Sequence, residues 1–194
     1  MTTKNHTIIH QRLFFLQRFD EALNAYEKAT ESRPKSPIAW HNQGSFLADG
    51  LQRYEDAVAS YQKAIDLDSN FAPAWRDRGL ALMRLDKNQE SIAAFDRAIK
   101  INLNDFQSWG SRGVALTKLK RYEEALAALN KAIDINPNDP IAWANLGWAL
   151  GEMQKYEDAI AAYDKAIEIK PDFVAAITAR KQLQEKNNNY NYGY

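Results

Sequence analysis

Cysteine is absent from this chain of 194 residues, which excludes disulfides, thiol catalysis and cysteine-ligated metal. An excess of either charge is absent too, since 25 lysines and arginines balance 25 aspartates and glutamates. Nucleic-acid binders ordinarily carry a basic surplus, so no nucleic-acid partner is expected. No apolar run approaches the roughly 18 residues of a membrane span. The opening MTTKNHTIIHQRLFFLQ lacks a basic head with a long apolar stretch and a small-residue cleavage site. No membrane partner and a cytoplasmic location are therefore expected, and the glycosylation-like triplet Asn5-His6-Thr7 is read as chance. Histidine is scarce: His6, His10 and His41. His6 and His10 share a helix face four residues apart, a spacing metals use, but no third ligand accompanies them. No serine–histidine–acid set, glycine-rich phosphate loop or paired-carboxylate site is apparent. The chain is expected to be no enzyme and to need no cofactor or metal.

What is present is a repeat. Pro137–Pro171 reads PNDPIAWANLGWALGEMQKYEDAIAAYDKAIEIKP, with Trp143, Leu146, Gly147, Leu150, Tyr156, Ala159, Tyr163, Ala166 and Pro171 at set places. Trp40, Trp75 and Trp109 precede Trp143 at intervals of 35, 34 and 34 residues. A fixed period of this length, with this content, points to stacked helical hairpins. Small residues at the glycine and alanine positions let helix backbones approach, and Trp, Leu and Tyr or Phe fill the wedge around them.

The copies fall at about 3–36, 37–71, 72–105, 106–139 and 140–173. In copy one, Phe19, Ala22, Tyr26, Ala29 and Pro34 mark the second helix and its exit. Its first helix, roughly 3–16, is degenerate: His6 stands at the tryptophan position and His10 at the glycine position, which implies looser packing or a frayed start. Copy two opens with Ser36 as N-cap before Pro37, and Gly50 is expected to end its first helix as a left-handed stop. One extra residue in that turn shifts Tyr54, Ala57, Tyr61 and Ala64 by one. Copy three has Leu103 for the closing proline and Asn88 for the tyrosine. Copy five is capped by Asp139 before Pro140. Second helices begin with acids, as in Glu123-Glu124, and carry a base near the end, as in Lys131, an order that suits the helix dipole. Residues 174–187 form a closing helix, with Ile177 and Leu183 toward the stack and Arg180, Lys181, Gln184 and Glu185 toward water. The tail 188–194, NNYNYGY, is expected to be disordered.

These residues resemble the tetratricopeptide repeat family over about 3–187. The resemblance implies an all-α, right-handed α-solenoid of five helix-turn-helix units plus a C-terminal capping helix, with a concave inner groove. It also implies a non-catalytic protein-interaction scaffold whose partner is a protein or a peptide. Pentatricopeptide repeats, which read RNA, have a similar period but generally lack this Trp, Leu-Gly, Tyr series.

In the family, first helices line the concave face. Carried over by position, the groove residues here are Asn42, Arg76, Leu80, Arg84, Val114, Lys118, Asn145 and Trp148, with Ile38, His41, Ser45, Asp49, Asp77, Gly110, Ser111, Thr117, Ile141, Gly151 and others around them. Family members that bind acidic chaperone tails use a basic and asparagine series on three consecutive first helices. Asn42 and Asn145 fit isolated places in it, but the accompanying basic residues are missing. Arg76, Arg84 and Lys118 suit a carboxylate, whereas Asp49 and Asp77 among them suit a solvated mixed face. Trp148 leaves two readings open. It is an anchor beside a recess made by Gly110, Ser111, Ala144 and Gly151, or it packs against the neighbouring helix. The alternative to groove binding is a self-associating module, a homo-oligomer built on the N-terminal helix edge and its apolar set Ile8, Ile9, Phe14, Phe15 and Leu16.

Overall fold

The 34-residue period becomes ten α-helices in a computed structural model that describes the backbone over residues 3–192 and the side chains over residues 18–187. The side chains of His6, Ile8, Ile9, His10, Phe14, Phe15 and Leu16 lie outside the described residues. The chain divides into two compact units, Met1–Asp86 and Lys87–Tyr194. The first holds α1 (Thr3–Ser32), α2 (Pro37–Ser45), α3 (Tyr54–Leu67) and α4 (Ala72–Arg84). The second holds α5 (Asn88–Ile101), α6 (Phe106–Lys118), α7 (Tyr122–Ile135), α8 (Pro140–Glu152), α9 (Tyr156–Ile169) and α10 (Val174–Tyr192). Within each unit, helices pack mainly on their neighbours in sequence, as in a linear array.

The signature residues have distinct jobs. Each repeat tryptophan is half-buried, and its indole N–H donates to a backbone carbonyl six residues earlier: Trp40 to Pro34 at 3.0 Å, Trp75 to Ser69 at 2.9 Å, Trp109 to Leu103 at 3.0 Å and Trp143 to Pro137 at 2.8 Å. The bond ties each first helix to the turn before it. Because a carbonyl accepts it, Leu103 serves as well as a proline. Gly44, Gly113 and Gly147 are the close-approach sites. An added Cβ would meet Tyr61 at 2.7 Å, Leu129 at 2.5 Å and Tyr163 at 3.0 Å respectively. The alanines of the second helices, Ala57, Ala64, Ala125, Ala132, Ala159 and Ala166, are fully covered.

The turns inside the repeats hold a left-handed residue that the sequence does not advertise. Gln52, Asp86, Lys120 and Gln154 have φ of 54°, 58°, 59° and 61°, at intervals of 34 residues. The stop expected at Gly50 therefore lies at Gln52, and no described glycine has positive φ. The reason is the extra residue of copy two, which is absorbed in the helix rather than in the turn. A π-helical turn, Phe46–Gly50, continues α2, and the N–H of Leu51 donates to the carbonyl of Phe46 at 3.3 Å.

Copy one departs further, because α1 runs unbroken where a turn was expected between helices. Leu16-Gln17-Arg18-Phe19 aligns with the turn sequence Leu51-Gln52-Arg53-Tyr54, so local sequence alone permits the turn. By sequence, His10 stands where the later repeats have glycine, so this first helix departs from the pattern that closes them. At the other end, α10 aligns with a sixth first helix and carries Lys181 in the glycine register. Lys181, Gln184 and Glu185 are exposed, as expected. Arg180 is not: it is half-buried, and its Nη1 donates to Asp164 Oδ1 at 2.7 Å, as Arg112 Nε does to Asp96 at 2.6 Å two repeats earlier. A buried arginine stem with its charge paired still packs as a core residue.

Candidate functional site: the outer faces of the first helices

Ser36 and Asp139 set the start of α2 and α8. Ser36 Oγ accepts from the N–H of Ala39 at 3.3 Å, and Asp139 Oδ1 accepts from the N–H of Ile141 at 3.1 Å. Asp105 does the same for α6, its carboxylate accepting from the N–H of Ser108 at 3.2 Å and from Ser108 Oγ at 2.7 Å. These caps fix where α2, α6 and α8 begin, whereas Phe71, at the N-cap position of α4, makes no side-chain cap.

In the first unit, α2 and α4 bring His41 and Asp77 together. His41 Nε2 lies 2.8 Å from Asp77 Oδ2, and Arg76 Nε donates to Asp77 Oδ1 at 3.1 Å. Both carboxylate oxygens are thus engaged, so the charge of Arg76 is met within the face. The His41 ring sits 5.5 Å from Tyr61 and edge-on to Phe71 at 5.3 Å. Tyr61 donates to Ser45 Oγ at 3.4 Å, and burial pushes its hydroxyl pKa up to about 12, outweighing that bond. Around this network Asn42 and Arg84 are exposed, and so are two large apolar side chains, Ile38 at 59% and Leu80 at 38%. The sequence placed Asp77 among the basic residues but missed its pairing with His41. The signal was present in their separation of 36 residues, one repeat length of copy two plus one.

In the second unit, α6 and α8 present half-buried Val114 and Asn145 and exposed Lys118, with Ile141 exposed at 58%. Gly110 and Thr117 are buried rather than lining a face; Thr117 Oγ1 donates to the carbonyl of Gly113 at 2.9 Å. Trp148 is half-buried in a cluster with Tyr163, Ala166, Ala176, Phe173 and Leu183, from α9, α10 and the turn between them. The glycine at 151 has a packing reason: its added Cβ would meet Leu183 at 3.3 Å. Small size there admits the closing helix, and Leu183 takes up the space beside it.

Among the described residues, no group of three or more His, Asp or Glu side chains is placed to hold a metal ion. No described helix is long and apolar enough to cross a membrane.

The tetratricopeptide repeat profile matches residues 11–73, 76–140 and 140–173. The chain belongs to the tetratricopeptide repeat family. Solved structures agree. MamA is similar at 27% identity and a TM-score of 0.72, over 79% of this chain and 89% of that one. MamA from residue 41 onward, from Desulfovibrio magneticus RS-1, is similar at 20% identity and a TM-score of 0.73, over 88% of this chain and 96% of that one. The Arabidopsis OM64 TPR domain is similar at 22% identity and a TM-score of 0.57, over 59% of this chain and 95% of that one. No curated protein matches the chain. The all-α solenoid class expected from the sequence is thereby established. Tetratricopeptide repeats generally serve as protein–protein interaction scaffolds and generally lack catalytic activity.

Proposed function

We propose that this tetratricopeptide repeat protein binds a peptide or a partner helix on the outward faces of its first helices. Asn42, Arg76, Leu80 and Arg84 act in the first unit, and Val114, Lys118, Asn145 and Trp148 in the second. The observation that carries this reading is the exposure of Ile38, Leu80 and Ile141, three large apolar side chains on first helices whose opposite faces are packed with alanine and glycine. Beside them Arg84 and Lys118 supply exposed positive charge, so the ligand combines apolar side chains with carboxylates. The site of action assigned to the protein is the cytoplasm.

The test is affinity capture from lysate with wild type, Leu80→Asp and Ile141→Asp, all three matched for melting temperature. A protein captured by wild type and lost from the two variants supports the reading. The same capture by all three, or capture of nothing at micromolar bait, counts against it.

The alternative is self-association through the N-terminal helix edge. Ala22 and Ala29, on the helix that has no partner of its own repeat, are only half-buried, which favours it. Sedimentation of the chain alone separates the two: a monomer at every concentration removes the alternative.

A further inference from the structure

The second half of α1 offers a face that every other second helix keeps closed. Phe19, Ala22, Tyr26 and Ala29 align with Tyr54, Ala57, Tyr61 and Ala64, 35 residues later. Ala57 and Ala64 are fully buried, while Ala22 and Ala29 are half-covered. A cavity of about 250 Å³ opens beside Phe19 and Ala22, with Arg18 and Phe46 also among its described lining. Phe46 stacks on Tyr26 at 5.0 Å and approaches Phe19 at 6.1 Å. In the three later repeats this register holds Ala81, Ala115 and Ala149. The larger ring therefore covers part of what a missing first helix leaves bare, and the cavity is the remainder.

The other repeats state what such a face accepts. In copy two, Leu47 packs with Ala57 and Tyr61, and Gly44, three residues before it, lies against the Tyr61 ring. Gly113 with Leu116 and Gly147 with Leu150 repeat that spacing. The chain's own segment 3–16 carries Leu13 in the leucine register but His10 in the glycine register. With histidine for glycine, the segment departs from the Gly-x-x-Leu pattern that packs in the later repeats, whether offered by its own chain or by a second copy, whose remaining first helices lie in their own repeats.

We infer that the α1 face around Phe19, Ala22 and Tyr26 is a docking site for an amphipathic helix of another protein, one that carries glycine three residues before a leucine. The leucine enters the cavity against Ala22 and the glycine passes Tyr26, so the incoming helix completes the first repeat from outside. This surface is separate from the first-helix faces of the proposed function and stands or falls without them.

The probe is a fluorescent peptide of residues 105–121, DFQSWGSRGVALTKLKR, which has Gly113 and Leu116 at the required spacing. Its anisotropy is titrated with the full-length chain. Saturable binding is expected, weakened about tenfold or more by Gly113→His in the peptide and by Ala22→Glu in the chain, the scale of a crowded contact or an unpaired buried charge. Leu80→Asp in the chain should leave it unchanged. Absence of saturation, insensitivity to Gly113→His, or loss with Leu80→Asp overturns the inference. The peptide arm needs no change in the protein, so a poorly folded Ala22→Glu does not blunt it. Two other occupants are separable. A dimer abolished by Ala22→Glu would put a second copy on the face and overturn the partner reading. Spin labels at Thr3→Cys and Ser32→Cys lie about 44 Å apart along a straight helix at 1.5 Å per residue; a much shorter distance would put segment 3–16 there and overturn it equally.

Discussion

The indole N–H of Trp143 donates to the carbonyl of Pro137 at 2.8 Å, binding α8 to the turn that precedes it. The same bond at Trp40, Trp75 and Trp109 makes it the recurring joint between successive repeats. Trp143→Phe should destabilise by roughly 1–3 kcal/mol, from the lost hydrogen bond and the lost ring volume. Pro137→Ala should cost less than that, because the acceptor is backbone. Urea titration followed by circular dichroism measures both, and an equal loss in the two variants would contradict the assignment.

Glycines at two positions in α6 should respond with opposite signs. At Gly113 an added Cβ would stand 2.5 Å from Leu129 Cγ and 3.3 Å from the Ala125 carbonyl oxygen, so there is no room to yield. Gly113→Ala should cost about 1–3 kcal/mol. At Gly110 the nearest atom is the Ala132 Cβ at 3.9 Å, ordinary contact distance. Gly110→Ala should be stabilising by about 0.5–1 kcal/mol through helix propensity. Melting of the two single variants decides it.

Lys120 holds φ of 59° in the turn between α6 and α7. A left-handed backbone costs a non-glycine residue about 1–2 kcal/mol, and a β-branched one more. Lys120→Gly should be neutral or stabilising, while Lys120→Val should destabilise by at least about 1 kcal/mol. The exposed lysine side chain contributes little by itself, so both effects report on the backbone. Unfolding of the pair by guanidinium is the measurement.

Tyr61 and Tyr163 predict a weakness at high pH. Burial is the main cause that pushes both hydroxyls up to about 12, from 10.0 in the unfolded chain. Between these values the folded state keeps protons that the unfolded state has lost, so stability falls as pH rises. It should be unaffected below about pH 9, since both states are then protonated. Stability measured from pH 8 to 11 in wild type and Tyr61→Phe/Tyr163→Phe checks the sign. The double variant, which has no hydroxyl to titrate at either position, should show a shallower alkaline decline.

Much of this protein was determined by its sequence. A period of 34 residues, tryptophan before leucine and glycine, and paired alanines in the second helices specify the repeat, because each residue type answers a local need of size or shape. The outward position of Ile38, Leu80 and Ile141 follows from helix periodicity in the same way. Other features required partners distant in sequence. The left-handed residue falls on Gln52, Asp86, Lys120 and Gln154, of which only Asp86 is a type that visits that region readily; packing of the two flanking helices imposes it. His41 meets Asp77 only because α2 and α4 are brought side by side. Leu183 explains Gly151 only once α10 lies against α8. The first repeat shows the division most plainly. Leu16-Gln17-Arg18-Phe19 has the local sequence of a turn and lies in a continuous helix. The turn needs two helices that can close on each other, and the first helix of this copy lacks the glycine that the later repeats place at that register, with His10 instead.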